Sequence, residues 1–313
     1  MSIVVVNYNG KPFLSDCFSA IFLQDYPPKE IILVDNASED GSVDFVRERY
    51  PAVTVLANRV NRGFAGGTND GIRRATGEYI LTLNNDTRID SRFLQEMVAP
   101  MVRDDMIGMC ASKMLLPDGR INSAGLCISR SGAAWNRGMA EPDEGQFDAP
   151  GEVFGPCAGA ALYRRSMLDE TGLFDEDFFM YMEDVDLAFR ARLLGWRCIY
   201  VPSARVVHRH AGTAVVQSDM AIYYGNRNIG WFFVKDFPGG LLLRCFPWFL
   251  LRNIAVLPYY ALRGKFRTIM KAKWDMVRGI PGMTRKRNTI RMTEQGAGIS
   301  RWISAWSSVP RGP

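Results

Sequence analysis

An α/β fold with a mostly parallel central sheet and helices on both faces is what the first third of the chain predicts. Short apolar or β-branched runs recur at Ile3 to Val6, Glu30 to Val34, Val53 to Ala57 and Glu78 to Leu83. Between them stand stretches with helical patterning at Phe13 to Phe22, Gly41 to Tyr50 and Gly66 to Ala75. Strands alternating with helices at these lengths imply parallel crossovers, and so a sheet covered on two sides. Three runs end abruptly in polar residues: Asn7-Tyr8-Asn9-Gly10, Asp35-Asn36-Ala37-Ser38 and Asn84-Asn85-Asp86-Thr87. Ligands of such sheets bind beyond the carboxyl ends of the strands, so these endings are expected to converge on one crevice.

The composition is that of a folded globular chain. Its 313 residues can bury a full core, and 47% hydrophobic with 23% charged residues leaves little room for disorder. Six cysteines, at positions 17, 110, 127, 157, 198 and 245, form no C-x-x-C pair, and with only two histidines a zinc site is not expected. They read as reduced core residues of a cytosolic protein. No signal peptide is read at the N-terminus, which enters Ile3-Val4-Val5-Val6 without a basic region.

The first strand ends at Asn7-Tyr8-Asn9-Gly10, and its helix is stopped by Tyr26-Pro27-Pro28. Asp35, after the second strand, can accept from a ribose hydroxyl or a base imide, or can cap the helix that follows. The loop Asn61-Arg62-Gly63-Phe64-Ala65-Gly66-Gly67-Thr68-Asn69 places glycines and an arginine at a helix start, a plausible anion site that lacks the full phosphate-loop spacing. Asp86 is the candidate metal ligand: a carboxylate at a strand end suits Mg²⁺ or Mn²⁺, which complete their shells with phosphate and water. An Asx turn is the plainer role for the same residues.

Past a helix expected over Ser91 to Val102, residues 112 to 153 carry only short β-prone pieces such as Ile121 to Ile128 and read as the floor and rim of a second substrate site. Small residues at Gly155 to Ala161 suit close backbone packing under a cleft. Glu183 and Asp184 open a helix reaching Leu194, where the helix dipole favours their ionised form; one can serve as a general base, or both can simply cap the helix. Strands are expected at Gly195 to Val201 and Arg205 to His210, the second holding His208 and His210 two apart on one face.

Taken together and in this order, Asn7-Tyr8-Asn9-Gly10, Val34-Asp35-Asn36-Ala37-Ser38, the loop 61–69, Leu83-Asn84-Asn85-Asp86, and Met182-Glu183-Asp184-Val185-Asp186 with His208 resemble family 2 glycosyltransferases of GT-A fold, and most of all their bacterial rhamnosyltransferase-like members. The resemblance implies an inverting transfer of a sugar, rhamnose among the candidates, from a nucleotide-diphosphate donor to a hydroxyl of a saccharide or polyprenyl-linked saccharide in bacterial cell-surface polysaccharide assembly. It implies that Asn7, Asn9 and Asp35 hold base and ribose, that Asn85 and Asp86 form the metal and diphosphate site, that Glu183 and Asp184 are the acceptor-side acids with Asp184 the base, and that His208 can join the metal. Arg62 and Asn69 are expected on the donor. This chain departs from relatives with two or three aspartates by having Asn84 and Asn85 before Asp86, which shifts more of the coordination to His208 and the diphosphate. A non-catalytic nucleotide-sugar-binding or scaffold protein of the same fold is the rival reading; it would not need Glu183 and Asp184.

The catalytic domain is expected over residues 1–235. A helix from Gln217 to Asp236 should close the cleft, and apolar, amphipathic, membrane-associating helices should occupy 236–290, with a tail over 291–313. The run Leu241 to Tyr260 is apolar but interrupted by Arg244, Arg252 and two prolines, and is followed by a basic stretch from Arg263 to Arg291 whose single acid is Asp275. Charges at the centre of a span are costly, so a segment lying on an anionic membrane surface is expected; spanning, and packing against the catalytic domain, are the alternatives. The chain is thus read as cytoplasmic and peripheral on the inner face of the plasma membrane. Nothing beyond charge points to nucleic acid, and none is expected as a partner.

Overall fold

A strand that is apolar at every position must be covered on both faces, and Ile3-Val4-Val5-Val6 lies in such a strand, β1 (Ser2–Asn7). The computed structural model describes residues 1–28, 30–209 and 218–304. After β1 come α1 (Lys11–Phe22), β2 (Glu30–Asp35), α2 (Ser42–Arg49), β3 (Thr54–Ala57), α3 (Gly63–Arg74), β4 (Tyr79–Asn84), β5 (Thr87–Ile89), α4 (Phe93–Arg103) and β6 (Ile107–Leu115). The middle holds β7 (Ile121–Ser123), β8 (Leu126–Ser129), β9 (Ala134–Asn136), β10 (Gly151–Glu152), β11 (Ala160–Arg164), α5 (Arg165–Thr171), α6 (Glu183–Leu193) and β12 (Arg197–His208). The chain then runs through α7 (Asp219–Asp236), α8 (Gly239–Ala261), α9 (Phe266–Arg287) and β13 (Ile303–Ser304). Short 3₁₀ segments lie at Glu176–Phe178 and Gln295–Trp302.

The main sheet has ten strands, with the path β10-β12-β6-β11-β4-β1-β2-β3; β5 pairs with β12 and β7 with β6. β4, β1, β2 and β3 are parallel neighbours, as the alternation of strand and helix predicts. β11 runs antiparallel to both β4 and β6 and makes the sheet mixed. The two-residue side-chain period divides the core: Ile3 and Val5 face Leu14, Phe18 and Phe93 on one side, and Val4 faces Ala65 and Ile72 on the other.

Two elements differ from expectation. β6 carries Gly108, Ser112 and Lys113, which weakens its strand signal; it is buried all the same because β11 and β12 flank it. Gly195 to Val201 and Arg205 to His210, expected as two strands, belong to the single strand β12 with a register shift between Val201 and Arg205; His210 lies outside the described residues. Residues 112 to 153 are tied to the sheet by the fully buried Lys113, paired with Asp143 at 2.7 Å and Asp148 at 2.5 Å.

At the C-terminal end α7 packs along α9, with Trp231 Nε1 donating to the Met276 carbonyl at 3.0 Å. α8 is largely uncovered. Only Cys245 and Phe249 are buried, Phe249 stacking on Phe233 at 4.3 Å, while Leu243, Leu251 and Ile254 are exposed, as is Leu262 just past its end. By length and composition alone α8 could cross a membrane. The stretch from 291, expected as a tail, returns to the domain as far as it is described: Thr293 N donates to the Leu193 carbonyl at 2.9 Å, Ile299 is buried, and β13 pairs with β8.

Candidate active site

The carboxyl ends of β1, β2 and β4 open onto a crevice of about 600 Å³ lined by Asn9, Asn36, Asn85, Asp86 and His208, with Phe179 and Tyr224 opposite. That volume suits a small-molecule ligand.

Two devices aim Asp86 into it. The chain turns sharply after β4, with Thr87 Oγ1 donating to the Asn84 carbonyl at 2.6 Å. The antiparallel register of β5 with β12 then sets His208 opposite Thr87. His208 Nε2 thereby lies 3.1 Å from Asp86 Oδ1 and 3.2 Å from Asn84 Nδ2, while its Nδ1 is 2.9 Å from Asn122 Oδ1. Asn122 Oδ1 faces Nδ1 and holds the ring so that Nε2 is turned toward Asp86. A carboxylate and an imidazole so arranged fit one divalent cation that takes its other ligands from phosphate and water. Among the described residues no cluster of three or more His, Cys, Asp or Glu is present, so Asp86 and His208 would hold only part of such an ion's shell.

Asn7 and Asp35, expected on base and ribose, lie beneath the crevice surface and are almost wholly buried. Asn7 Nδ2 donates to Asp35 Oδ2 at 2.8 Å, Ser38 N donates to Asp35 Oδ1 at 2.8 Å, and Asn85 Nδ2 donates to Asn7 Oδ1 at 2.6 Å. The three polar strand endings are thus one bonded layer. Asn9, in the left-handed region at φ 51°, reaches the surface and ties its Oδ1 to Glu39 N at 2.8 Å.

Arg62 and Asn69, expected on the donor, are turned away from the crevice. Arg62 spends its guanidinium on Asp70 and Glu176, both at 2.6 Å. Asn69 exchanges hydrogen bonds with the Phe174 backbone at 2.8 and 3.1 Å and also donates to Glu176 Oε1 at 3.0 Å. Glu176, remote in sequence, draws both into a clamp between α3 and the segment before α6. The loop matters for another reason: Gly63, at φ 69°, lies where a Cβ would stand 2.3 Å from the Phe179 carbonyl, so this backbone contact requires glycine.

Asp184 belongs to the same edge of the sheet as Asp86, although neither it nor Glu183 lines the crevice. Asn84 N donates to the Gly159 carbonyl at 2.9 Å, and Ala158 N, the adjoining residue's, donates to Asp184 Oδ2 at 3.3 Å. The small residues between them permit this. A Cβ at Gly155 would lie 2.4 Å from that of Ala188, and one at Gly159 3.0 Å from Asn84 Nδ2. Burial pushes the Asp184 carboxyl up to about 6, against the pull of the Ala158 and Val185 N–H groups. Burial, and then the charge of Asp184, push Glu183 well above the carboxylate range, and its Oε2 has no hydrogen-bond partner among the described residues. Burial thus works against the ionised form of both carboxyls, and the charge of Asp184 adds to that on Glu183.

The approach to these acids is unusual backbone: Phe179, Tyr181 and Met182 all have φ between 65° and 73°. Asn228, fully buried on α7, holds that approach, its amide 2.9 Å from the Phe178 carbonyl, 2.9 Å from Met180's and 2.7 Å from Tyr181's. Arg227 adds bonds to the carbonyls of Asp177 and Phe178 at 2.9 and 3.0 Å. The sequence signal was a run of amides and an arginine in a helix expected to close the cleft, but not what they grip; Asn122, inside an irregular stretch, gave none. Asn228→Ala orphans buried carbonyls and should cost about 2 kcal/mol or more, read as a lowered midpoint in urea unfolding.

The sequence profile of Glycosyl transferase family 2 matches residues 2–172. The N-acetylglucosaminyl-diphospho-decaprenol L-rhamnosyltransferase of Mycobacterium tuberculosis is 26% identical over 310 residues, covering 89% of this chain and 98% of that protein. A poly-beta-1,6-N-acetyl-D-glucosamine synthase of Staphylococcus epidermidis is 26% identical over 216 residues, 65% of this chain and 48% of its own length. Among solved structures, the mannosyltransferase PcManGT of Pyrobaculum calidifontis in complex with GDP-Man and Mn²⁺ superposes with a TM-score of 0.56 at 20% identity, covering 96% of this chain and 86% of that one. S. aureus TarS 1-349 in complex with UDP-GlcNAc superposes with a TM-score of 0.57 at 15% identity, covering 93% and 92%. These superpositions place the fold in the GT-A class. With the profile spanning more than half of the sequence and the strand endings that carry the resemblance gathered on one crevice, the chain belongs to glycosyl transferase family 2.

Proposed function

We propose that this glycosyltransferase moves a sugar, with inversion, from a nucleoside-diphosphate donor in the crevice to a hydroxyl of a lipid-linked saccharide during assembly of a bacterial surface polysaccharide. The observation that carries the reading is the placement of Asp86 and Asp184 at one sheet edge, joined through the backbone of Ala158 and Gly159. The M. tuberculosis relative, whose name specifies a rhamnosyl group and a diphospho-decaprenol acceptor, supports both the sugar class and the lipid carrier.

Asn9 contacts the nucleotide end of the donor, while Asn7 and Asp35 fix the layer beneath it. Asn85 and Asp86 face the diphosphate. Asp86 and His208 hold a divalent cation, Mg²⁺ or Mn²⁺, and when bound that ion offsets the charge growing on the leaving diphosphate. Asp184 takes the acceptor hydroxyl's proton as its oxygen attacks the anomeric carbon from the face opposite the departing nucleoside diphosphate. Glu183 stands behind it, its carboxyl pushed well above the ordinary range by burial and by Asp184. The test is a panel of nucleotide-sugars with Mn²⁺ and a polyprenyl-diphosphate-linked sugar: transfer from one donor is expected, and donor binding without acceptor-dependent nucleoside diphosphate release would favour a binding protein instead.

Residues 1–235 form the catalytic unit in this reading, and 236–290 attach it to an anionic membrane. α8 presents Leu243, Leu251 and Ile254 outward, and Arg244, Arg263 and Arg267 accompany them on α8 and the segments after it. Pro247 and Pro258 within α8, and Arg252 at its middle, favour a helix lying in the interface over a spanning one. The protein is thereby peripheral on the cytoplasmic side. It should float with anionic but not neutral liposomes at low salt and be released at about 1 M salt, where the Debye length is about 3 Å; extraction by detergent alone would show a spanning helix.

A further inference from the structure

The junction of α7, α8 and α9 brings together two cations that no carboxylate answers among the described residues. Arg252 stands on α8 and Lys273 on α9. Lys273 Nζ is met by neutral oxygens, Asn253 Oδ1 at 2.6 Å and the Asn226 carbonyl at 3.4 Å. Arg252 Nη1 is buried without a hydrogen-bond partner among the described residues, and so is Oδ1 of Asn226. The acids on the same helices are engaged elsewhere: Asp219 with Lys265 and Thr268, Asp275 with the Tyr223 hydroxyl, and Asp236 in the buried group of Asp186, Lys235 and Arg190. Burial, and then the nearness of Arg252, push the Lys273 amine down to about 7. Like charges brought together out of water are unfavourable unless a counter-ion joins them.

We propose that Arg252 and Lys273 form an anion site that takes a phosphate group between α7, α8 and α9. A guanidinium edge matches two phosphate oxygens and an ammonium supplies a point charge beside it, while the orphaned Asn226 Oδ1 can accept from a hydroxyl on the phosphate or its ester. The place is informative. Asn226 lies on the same helix as Met220 and Tyr224 of the crevice wall, and Arg252 lies on the helix whose outer side is apolar and exposed. The phosphate therefore sits between the proposed bilayer face and the crevice. It can come from a lipid headgroup or from free phosphate in solution. The site extends the membrane reading, but its soluble-phosphate test does not depend on that reading.

The test is thermal unfolding of the full chain with inorganic phosphate, with chloride at equal ionic strength, and with vesicles of phosphatidylglycerol or phosphatidylcholine. A rise in Tm with phosphate beyond that with chloride marks the soluble source, and a rise with phosphatidylglycerol alone marks the lipid; either supports the site. Lys273→Met and Arg252→Met should each weaken the binding of the effective anion at least about tenfold, whereas Arg47→Gln, which removes an exposed cation on α2, should leave its affinity within about twofold. Without anion, Lys273→Met should unfold at or above the wild-type temperature, because an uncompensated charge has been removed. The proposal is overturned if chloride matches both phosphate and phosphatidylglycerol, if the two Met variants respond as wild type, if Arg47→Gln loses as much as they do, or if Lys273→Met alone lowers the anion-free Tm. A phosphate response without flotation on anionic liposomes leaves the site standing and rejects the membrane reading.

Discussion

Asp184→Asn should lower kcat by about 10²–10⁴-fold, the usual contribution of a positioned general base, while the donor KM stays within about twofold. The reason is geometric. Asp184 is placed by Ala158 N and by Val185 N at 2.8 Å, beside the crevice rather than on the donor. Asparagine keeps the accepting oxygen, so the fold should survive. The pH profile adds a second readout. A base whose carboxyl titrates at about 6 is ionised above that value, so the wild-type rate should fall as pH drops through about 6, and the variant should lose that inflection. The stability effect has the opposite sign: a carboxyl raised by folding is stabilising while protonated, and that contribution disappears as pH rises from the ordinary carboxyl range through about 6. Asp184→Asn should remove this slope and unfold at or above the wild-type temperature at pH 7.5. Equal losses in kcat and donor affinity would move Asp184 from proton transfer to donor binding.

The second large effect belongs to the opposite acid. Asp86→Ala should reduce transfer by about 10²-fold or more, since charge stabilisation at a leaving diphosphate is worth several kcal/mol and each 1.36 kcal/mol is about tenfold in rate. Unlike Asp184→Asn, it should also weaken Mn²⁺-dependent binding of the nucleoside diphosphate, measured calorimetrically with and without the ion. His208→Ala should follow it in part, because Nε2 lies 3.1 Å from Asp86 Oδ1 and offers the other donor atom. Chelation of the wild type should stop turnover, and returning Mn²⁺ should restore it. Full activity in excess chelator would remove Asp86 and His208 from the metal role and leave them as a hydrogen-bonded pair.

What was legible in the sequence follows from local rules. The alternation of apolar runs with helical patterns specifies parallel crossovers, and a run such as Ile80-Leu81-Thr82-Leu83 that stops at amides and a carboxylate declares a strand end facing ligand. Asn7, Asp35, Asn85 and Asp86 come together for that reason alone. Arg62 and Asn69 show the limit: a glycine-rich loop at a helix start looks like an anion site until Glu176 arrives from another part of the chain and takes both side chains.

The sequence by itself determined the fold class and the strand endings that edge the crevice, because period, turn residues and strand endings are written in neighbouring positions. Only the tertiary structure decided which nitrogen of His208 faces Asp86, that burial raises both Glu183 and Asp184, and that Arg252 and Lys273 meet without an acid among the described residues. Those outcomes depend on partners brought together by packing, Asn122, Ala158 and α9 among them. Burial then sets the cost of each charge by what surrounds it rather than by what precedes it along the chain.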